Sequence, residues 1–250
     1  MGTANMGQMT KDASDFELRT GITRDDIRRL GQVHLFSGLV PDDLRKLLAT
    51  SSTRRYPDHT TLFMEGDPAD RFFVVMDGWV KLFRLSENGQ EVVISVSSPG
   101  ESFAEAAIFD NNTFPVSAVA ITDVRLLVVS AESLMRQLSE NMDFTFNMLA
   151  SMSRQMRRNV TKLHQMCSMS STERLADFLI DLSNSHNGTA RITLPLDKSL
   201  IAARLGMQPE TFSRALAKLK TVGVQSVGHD VEIKDLNALR AMVNSGPLSC

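Results

Sequence analysis

Glu210, Thr211, Phe212, Ser213 and Arg214 form an E-x-x-S-R run that begins just after the turn Leu205-Gly206-Met207-Gln208-Pro209. An Arg fork can donate twice to guanine O6 and N7, a carboxylate can accept from the cytosine N4 amino group, and a Ser hydroxyl can meet a base edge or a phosphate. At about 100° per residue, Phe212, Ala215, Leu216 and Leu219 share one face of a helix, and Glu210, Arg214 and Ala217 lie opposite. The spacing predicts a helix with its core on one side and a base-reading face on the other. The competing reading is an exposed ion pair between Glu210 and Arg214, worth only about 0.2–0.5 kcal/mol. Local charge favours base reading. Between Leu196 and Thr221, Lys198, Arg204, Arg214, Lys218 and Lys220 outnumber Asp197 and Glu210, a surplus suited to phosphate contacts. The expected DNA-contacting set is Gln208, Glu210, Thr211, Ser213 and Arg214, with Lys198, Lys218 and Lys220 at the phosphates.

Such a helix must be held. Pro209 fits the first helical position, where its missing N–H costs nothing, and Gly206 allows a sharp turn. Leu200, Ile201, Arg204 and Leu205 supply a short preceding helix with an apolar face. Downstream, the stretch from Val222 to Ile233 around Gly228-His229-Asp230 reads as a wing hairpin, and upstream Ala190 to Leu194 follows the turn His186-Asn187-Gly188. Ser170 and Glu173 have the spacing of a capping box, starting a helix through Leu175, Phe178, Leu179 and Leu182.

The middle of the chain has another period. Short β-prone runs cover Thr60–Met64, Phe72–Met76, Trp79–Leu85, Val92–Val96, Val116–Ile121 and Val124–Val129, separated by turn signals such as Asp77-Gly78 and Glu87-Asn88-Gly89. Regular strand spacing predicts a small β-barrel or roll whose interior could hold one small ligand. Ile22 to Leu48 reads as two helices broken around Pro41. After the strands, Leu149, Met152, Met156, Val160, Leu163 and Cys167 recur at intervals of three and four over about 28 Å. A seam of that kind calls for a partner helix, and its methionines suit an adaptable interface.

The 250 residues, 42% of them apolar, exclude a disordered chain, and a net charge of −2 means that any DNA affinity comes from a local basic surface. Two cysteines are too few for a disulfide framework or a thiolate-bound iron–sulfur cluster. Neither a membrane span nor a signal segment is expected, which points to the cytoplasm. No Ser/His/acid or metal-spaced cluster suggests an enzyme.

The order roll, long helix, winged helix-turn-helix resembles the cAMP receptor protein and fumarate–nitrate reduction regulator (Crp/Fnr) superfamily from Val33 to Ile233. The resemblance is carried by Glu65-Gly66-Asp67, Asp77-Gly78-Trp79-Val80-Lys81, Gly100-Glu101-Ser102-Phe103-Ala104-Glu105 and Gln208 to Arg214. Within it, Phe103-Ala104-Glu105-Ala106 and the E-x-x-S-R run are similar to the dissimilatory nitrate respiration regulators. The implied fold is α+β: an N-terminal β-roll of the cyclic-nucleotide-binding type, a long dimerisation helix and a C-terminal winged helix-turn-helix. The implied function is a homodimeric transcription regulator that binds a palindrome of double-stranded DNA with TTGAT-type half-sites and has RNA polymerase as a further partner. The expected organisation is a flexible segment over 1–21, a sensing roll with flanking helices over 22–130, a dimerisation region over 131–168 and the DNA-binding domain over 169–250. The seam residues Leu149, Met152, Met156, Val160 and Leu163 are then the dimer contacts.

The resemblance also locates an effector pocket at Phe103, Ala104, Glu105, Pro115 and Val116. Cyclic-nucleotide binders end this cassette in an Arg-Ser pair, the Arg meeting the phosphate. Pro115-Val116 stands there instead, which argues against cAMP. An iron–sulfur sensor is disfavoured because the N-terminal cysteine group is absent. The nitrate respiration branch is associated with haem and nitric oxide sensing and with control of nitrogen-oxide respiration genes, which makes His34 the candidate axial ligand, with His164 and His59 as alternatives. A cyclic-nucleotide-responsive regulator and an effector-independent regulator of the same fold stay open as alternatives.

Overall fold

Eight short strands between Ser52 and Ser130 form two antiparallel four-stranded sheets, as the turn spacing predicts. They are β1 Ser52–Tyr56, β2 Thr61–Phe63, β3 Arg71–Asp77, β4 Val80–Leu85, β5 Glu91–Ser97, β6 Ser102–Phe103, β7 Ser117–Ala120 and β8 Val124–Ser130. One sheet runs β1-β8-β3-β6 and the other β2-β7-β4-β5. The computed structural model describes residues 15–33, 35–36, 39–110, 112–183, 185 and 188–244, with backbone alone at 155, 158–159, 161–168 and 244. The chain divides into two compact units, Met1–Met156 and Arg157–Cys250.

In the first unit β3 is apolar at every position from Phe72 to Met76 because both of its faces are covered. Alternation along the strand therefore separates two cores. Phe73 and Val75 face the roll interior with Val80, Leu82, Phe103, Phe114 and Leu126. Phe72, Val74 and Met76 join Leu127 and Val129 in a second core, capped by the helices α1 Arg24–Leu30 and α2 Pro41–Leu48. That core also takes Leu134 from α4 Ala131–Glu140 and Phe144 and Met148 from α5 Met142–Ser168. The short helix α3 Glu105–Phe109 follows β6.

Within the segment expected to be flexible, residues 15–20 are helical, and residues 1–14 lie outside the described residues. Helix α1 starts in a capping box, in which the Thr23 amide donates to Asp26 Oδ2 at 2.9 Å and the Asp26 amide donates to Thr23 Oγ1 at 3.1 Å. The same carboxylate accepts two bonds from Arg125 on β8, Nη1 at 2.9 Å and Nη2 at 2.6 Å, and Nη2 also donates to the Gly21 carbonyl at 3.0 Å. Burial alone would push the Asp26 carboxyl up; the guanidinium and the Thr23 donors outweigh it and hold it below the ordinary carboxylate value. Gly21 has φ +69, and a Cβ there would stand 2.5 Å from Thr53 Oγ1, so no other residue fits this crossing without distortion. The N-terminal helix is thus fastened to the outer face of the roll.

The second unit contains α6 Ser171–Ser183, α7 Lys198–Arg204, α8 Pro209–Leu219, α9 Leu236–Asn244 and a three-stranded sheet. In that sheet β11 Asp230–Ile233 lies between β10 Val224–Val227 and β9 Ala190–Thr193. The predicted capping box is present at the head of α6: the Ser170 amide donates to Glu173 Oε2 at 2.6 Å and the Glu173 amide to Ser170 Oγ at 3.3 Å. The predicted wing is the β10–β11 hairpin around Gly228.

Candidate nucleic-acid interface and effector pocket

Helix α7 buries Ile201 and Ala202, and its end is closed by amide bonds from Leu205 to Ile201 O, Gly206 to Ala203 O and Met207 to Ala202 O at 2.9–3.0 Å. Gly206 takes φ +62, a left-handed conformation that suits glycine, and turns the chain into α8. Pro209 occupies the first turn of α8. Phe212, Ala215 and Leu219 are buried and Leu216 is half-buried, as the stripe predicts. Glu210, Ser213, Arg214, Ala217 and Lys218 are exposed on the other side, with Thr211 at the margin.

The expected competing ion pair is not formed. Arg214 Nη2 donates to Thr211 Oγ1 at 3.3 Å. Ser213 Oγ donates back to the Pro209 carbonyl at 3.0 Å, which occupies its proton but leaves oxygen lone pairs outward. Gln208, Lys198, Lys218 and Lys220 are all exposed, Lys198 at the head of α7 and Lys220 in the turn after α8. The wing tip adds His229, whose Nε2 lies 3.5 Å from Asp197 Oδ1. A convex helix face of donors and one carboxylate, edged by lysines, has the shape and chemistry to enter a major groove.

The expected effector residues occupy two different settings. Phe103 is core: its ring centroid stands 5.1 Å from Phe73 and 6.3 Å from Phe63, and Phe63 lies 3.8 Å from Phe114. Ala104 adopts φ +69, a left-handed conformation that favours glycine, so its side chain is held there at a cost of roughly 1–2 kcal/mol. Glu105 opens α3 and accepts a bond from Ser102 Oγ at 3.1 Å. Pro115 is exposed, its carbonyl accepting from Arg84 Nε at 2.7 Å, and Arg84 Nε also lies 3.6 Å from Glu65 Oε1. Val116 packs against the roll interior. Arg125, ten residues after Pro115 in the sequence, turns to Asp26.

His34 lies outside the described residues, as does the His164 side chain. His59 is exposed beside Asp58, so no described histidine faces the roll interior. Among the described residues no cluster of His, Cys, Asp and Glu could hold a metal ion, and no helix is long and apolar enough to cross a membrane.

On α5, Phe144, Met148 and Ser151 are buried, and the opposite stripe is exposed. Leu149, Met152, Met156 and Val160 belong to that stripe, with Met156 70% exposed; the Leu163 side chain lies outside the described residues. The structure adds Met142 and Phe146, 69% and 64% exposed, which sequence reasoning missed although they continue the spacing by three and four.

A β-roll joined to a winged helix-turn-helix defines a transcription regulator with a sensing domain. Residues 53–141 match the cyclic nucleotide-binding domain and residues 173–242 the Crp-like helix-turn-helix domain. A Ruegeria pomeroyi DSS-3 protein, provisionally named for cyclic nucleotide binding, is 35% identical, with a TM-score of 0.76 over 88% of this chain and 97% of its own. The regulator DNR of Pseudomonas aeruginosa is 30% identical, with a TM-score of 0.53 over 86% of this chain and 96% of its own. The CRP-like cAMP-activated global transcriptional regulator of Mycobacterium tuberculosis is 27% identical over 84% of this chain and 96% of its own. The chain belongs to the Crp/Fnr family of transcription regulators. Proteins of this family bind DNA through the helix-turn-helix domain, and its named relatives are regulators rather than enzymes.

Proposed function

We propose that the chain acts as a homodimer whose two α8 helices read a palindrome of TTGAT-type half-sites, and that its roll responds to something other than a cyclic nucleotide. The observation that carries the reading is the division of α8: Phe212, Ala215 and Leu219 inside, Glu210, Ser213 and Arg214 outside and not paired as Glu210–Arg214. Lys198, Lys218 and Lys220 serve the phosphates, and RNA polymerase is the further partner. The proposed organisation is a sensing roll with flanking helices over 22–130, a dimerisation region over 131–168 and a DNA-binding domain over 169–250. Binding to a TTGAT-type palindrome and its single-base variants tests the code; equal affinity for all of them rejects it.

The dimer reading rests on the exposed apolar stripe of α5, because a contiguous patch of this size marks an interaction surface. Two reading helices then meet major grooves about 10 bp apart. Met156→Glu should give monomers in sedimentation and weaken palindrome binding by about 10²–10⁴-fold, the contribution of the second half-site. A wild-type monomer at micromolar concentration removes the shared-helix reading.

At the cassette, Pro115 and Val116 supply no side-chain donor, Arg84 Nε is engaged with Pro115 O and Glu65, and Arg125 is held by Asp26 on the outer face of the roll. With Pro115 and Val116 in place of an Arg-Ser pair, cAMP and cGMP should not bind; micromolar binding in calorimetry overturns this. Haem and nitric oxide sensing, with control of nitrogen-oxide respiration genes, rests on the resemblance and on His34. A haem titration followed by absorbance, repeated on His34→Ala, tests that assignment. The second reading is a regulator that needs no effector, and the phenylalanine packing inside the roll favours it.

A further inference from the structure

We propose that Arg174, on α6, is a positioning residue for base reading: it fixes the turn from which α8 departs. The inference rests on α8 being the reading helix. Arg174 Nη1 donates to the Leu205 carbonyl at 3.1 Å. Leu205 closes α7, and the last carbonyls of a helix lack partners within it. A guanidinium there satisfies one of them and opposes the negative end of the helix dipole. The same nitrogen lies 3.6 Å from where a Cβ on Gly206 would stand, so the side chain packs against the turn itself. Its Nε is shut off from water with no partner. The carbonyl is therefore the bond that directs this guanidinium.

The geometry makes the contact consequential. Helix α7 has seven residues, too short to be held by its own hydrogen bonds, so its end is placed by tertiary contacts. Helix α6 buries Leu175, Ala176 and Leu179 in the core of this unit and packs on α8. One helix thus supplies both the floor under α8 and the tether at its entry. Functional side chains must be held to within about 0.5 Å to act. Loosening the turn would let α8 pivot on its floor and move Glu210 and Arg214 away from base edges, without removing any phosphate-binding lysine.

The test uses the full-length protein and the duplex that wild type itself selects from a randomised pool. Arg174→Met keeps the length and apolar stem but has no donor; Arg174→Lys restores an ammonium, one of whose three N–H donors suffices for a single carbonyl. Arg174→Met should lower affinity for the selected duplex about tenfold, with non-specific binding and its salt slope unchanged. Arg174→Lys should recover most of the loss. Equal discrimination in wild type and Arg174→Met overturns the inference. So does a parallel loss of specific and non-specific binding with a lowered thermal midpoint, which marks a merely structural residue. Arg214→Ala is measured alongside: if it leaves discrimination intact, or wild type selects no sequence, the reading of α8 fails, and the role of Arg174 falls with it. If Arg214→Ala relaxes discrimination and Arg174→Met does not, α8 still reads bases and only the positioning role is lost.

Discussion

The outer face of α8 and the cassette of the roll treat their polar side chains in opposite ways. On α8 the carboxylate of Glu210 and the guanidinium of Arg214 stay exposed, and the apolar work is done by Phe212, Ala215 and Leu219 on the far side. In the roll two arginines are already bonded within the protein, Arg84 to Pro115 O and Glu65 at the cassette and Arg125 to Asp26 on the outer face, and the interior is packed with phenylalanine. The bonds on the α8 face stay within one helical turn, Arg214 to Thr211 and Ser213 to the Pro209 carbonyl, whereas the roll arginines are spent on partners 31 and 99 residues away. The two regions thus differ in how far their polar side chains are tied to the rest of the chain.

The largest effects should come from the spent region. Phe114→Ala removes a fully buried ring stacked on Phe63 and should cost about 3–5 kcal/mol in denaturant unfolding. A cost under about 1 kcal/mol would mean that the ring lines a ligand space able to collapse around the deletion. Arg125→Ala leaves the buried Asp26 carboxylate unpaired and should cost about 3 kcal/mol. Because the folded Asp26 sits below its ordinary value of 3.8, its contribution is complete above that pH and fades as pH falls through the lower folded value. Asp26→Asn should therefore flatten the acid limb of the stability curve; an unchanged limb would show that the clamp does not couple to pH.

The exposed region should show smaller effects of a different kind. Arg214→Ala should lose roughly 1–3 kcal/mol per half-site at one base pair with stability unchanged, whereas Lys218→Ala should weaken all sequences alike and lower the salt slope. Ser213→Ala should matter least, since its proton is already given to Pro209 O. Arg214→Ala weakening every duplex equally would place Arg214 on a phosphate. Back in the roll, Ala104→Gly should raise stability by about 1 kcal/mol, because glycine adopts φ +69 without steric cost. A loss on that substitution would mean that the methyl group is packed to advantage.

Sequence made the second unit legible because each element there has a local signature: the capping box at Ser170, the turn at Gly206, Pro209 at the head of α8 and the apolar stripe behind it. In the roll, the strands with apolar runs were legible to within a residue or two, as at Val124–Ser130. Strand β1 was not, because it is an edge strand with Arg54 and Arg55 exposed and shows no apolar alternation. Strand β6 has two residues and α3 has five, too few for any period to register. The phenylalanine cluster draws on Phe63, Phe73, Phe103 and Phe114, and no spacing rule joins positions so far apart. The Arg125 clamp was hidden for the same reason.

That clamp sets an order on the making of the protein. Asp26 leaves the ribosome 99 residues before Arg125. At about 5–20 residues per second, roughly 5–20 s pass before α1 can be fastened to β8. Strand β1 waits on the same partner. Helix α1 and strand β1 are therefore made well before the strand that secures them, and until β8 arrives their apolar faces lack the cover they have in the folded chain.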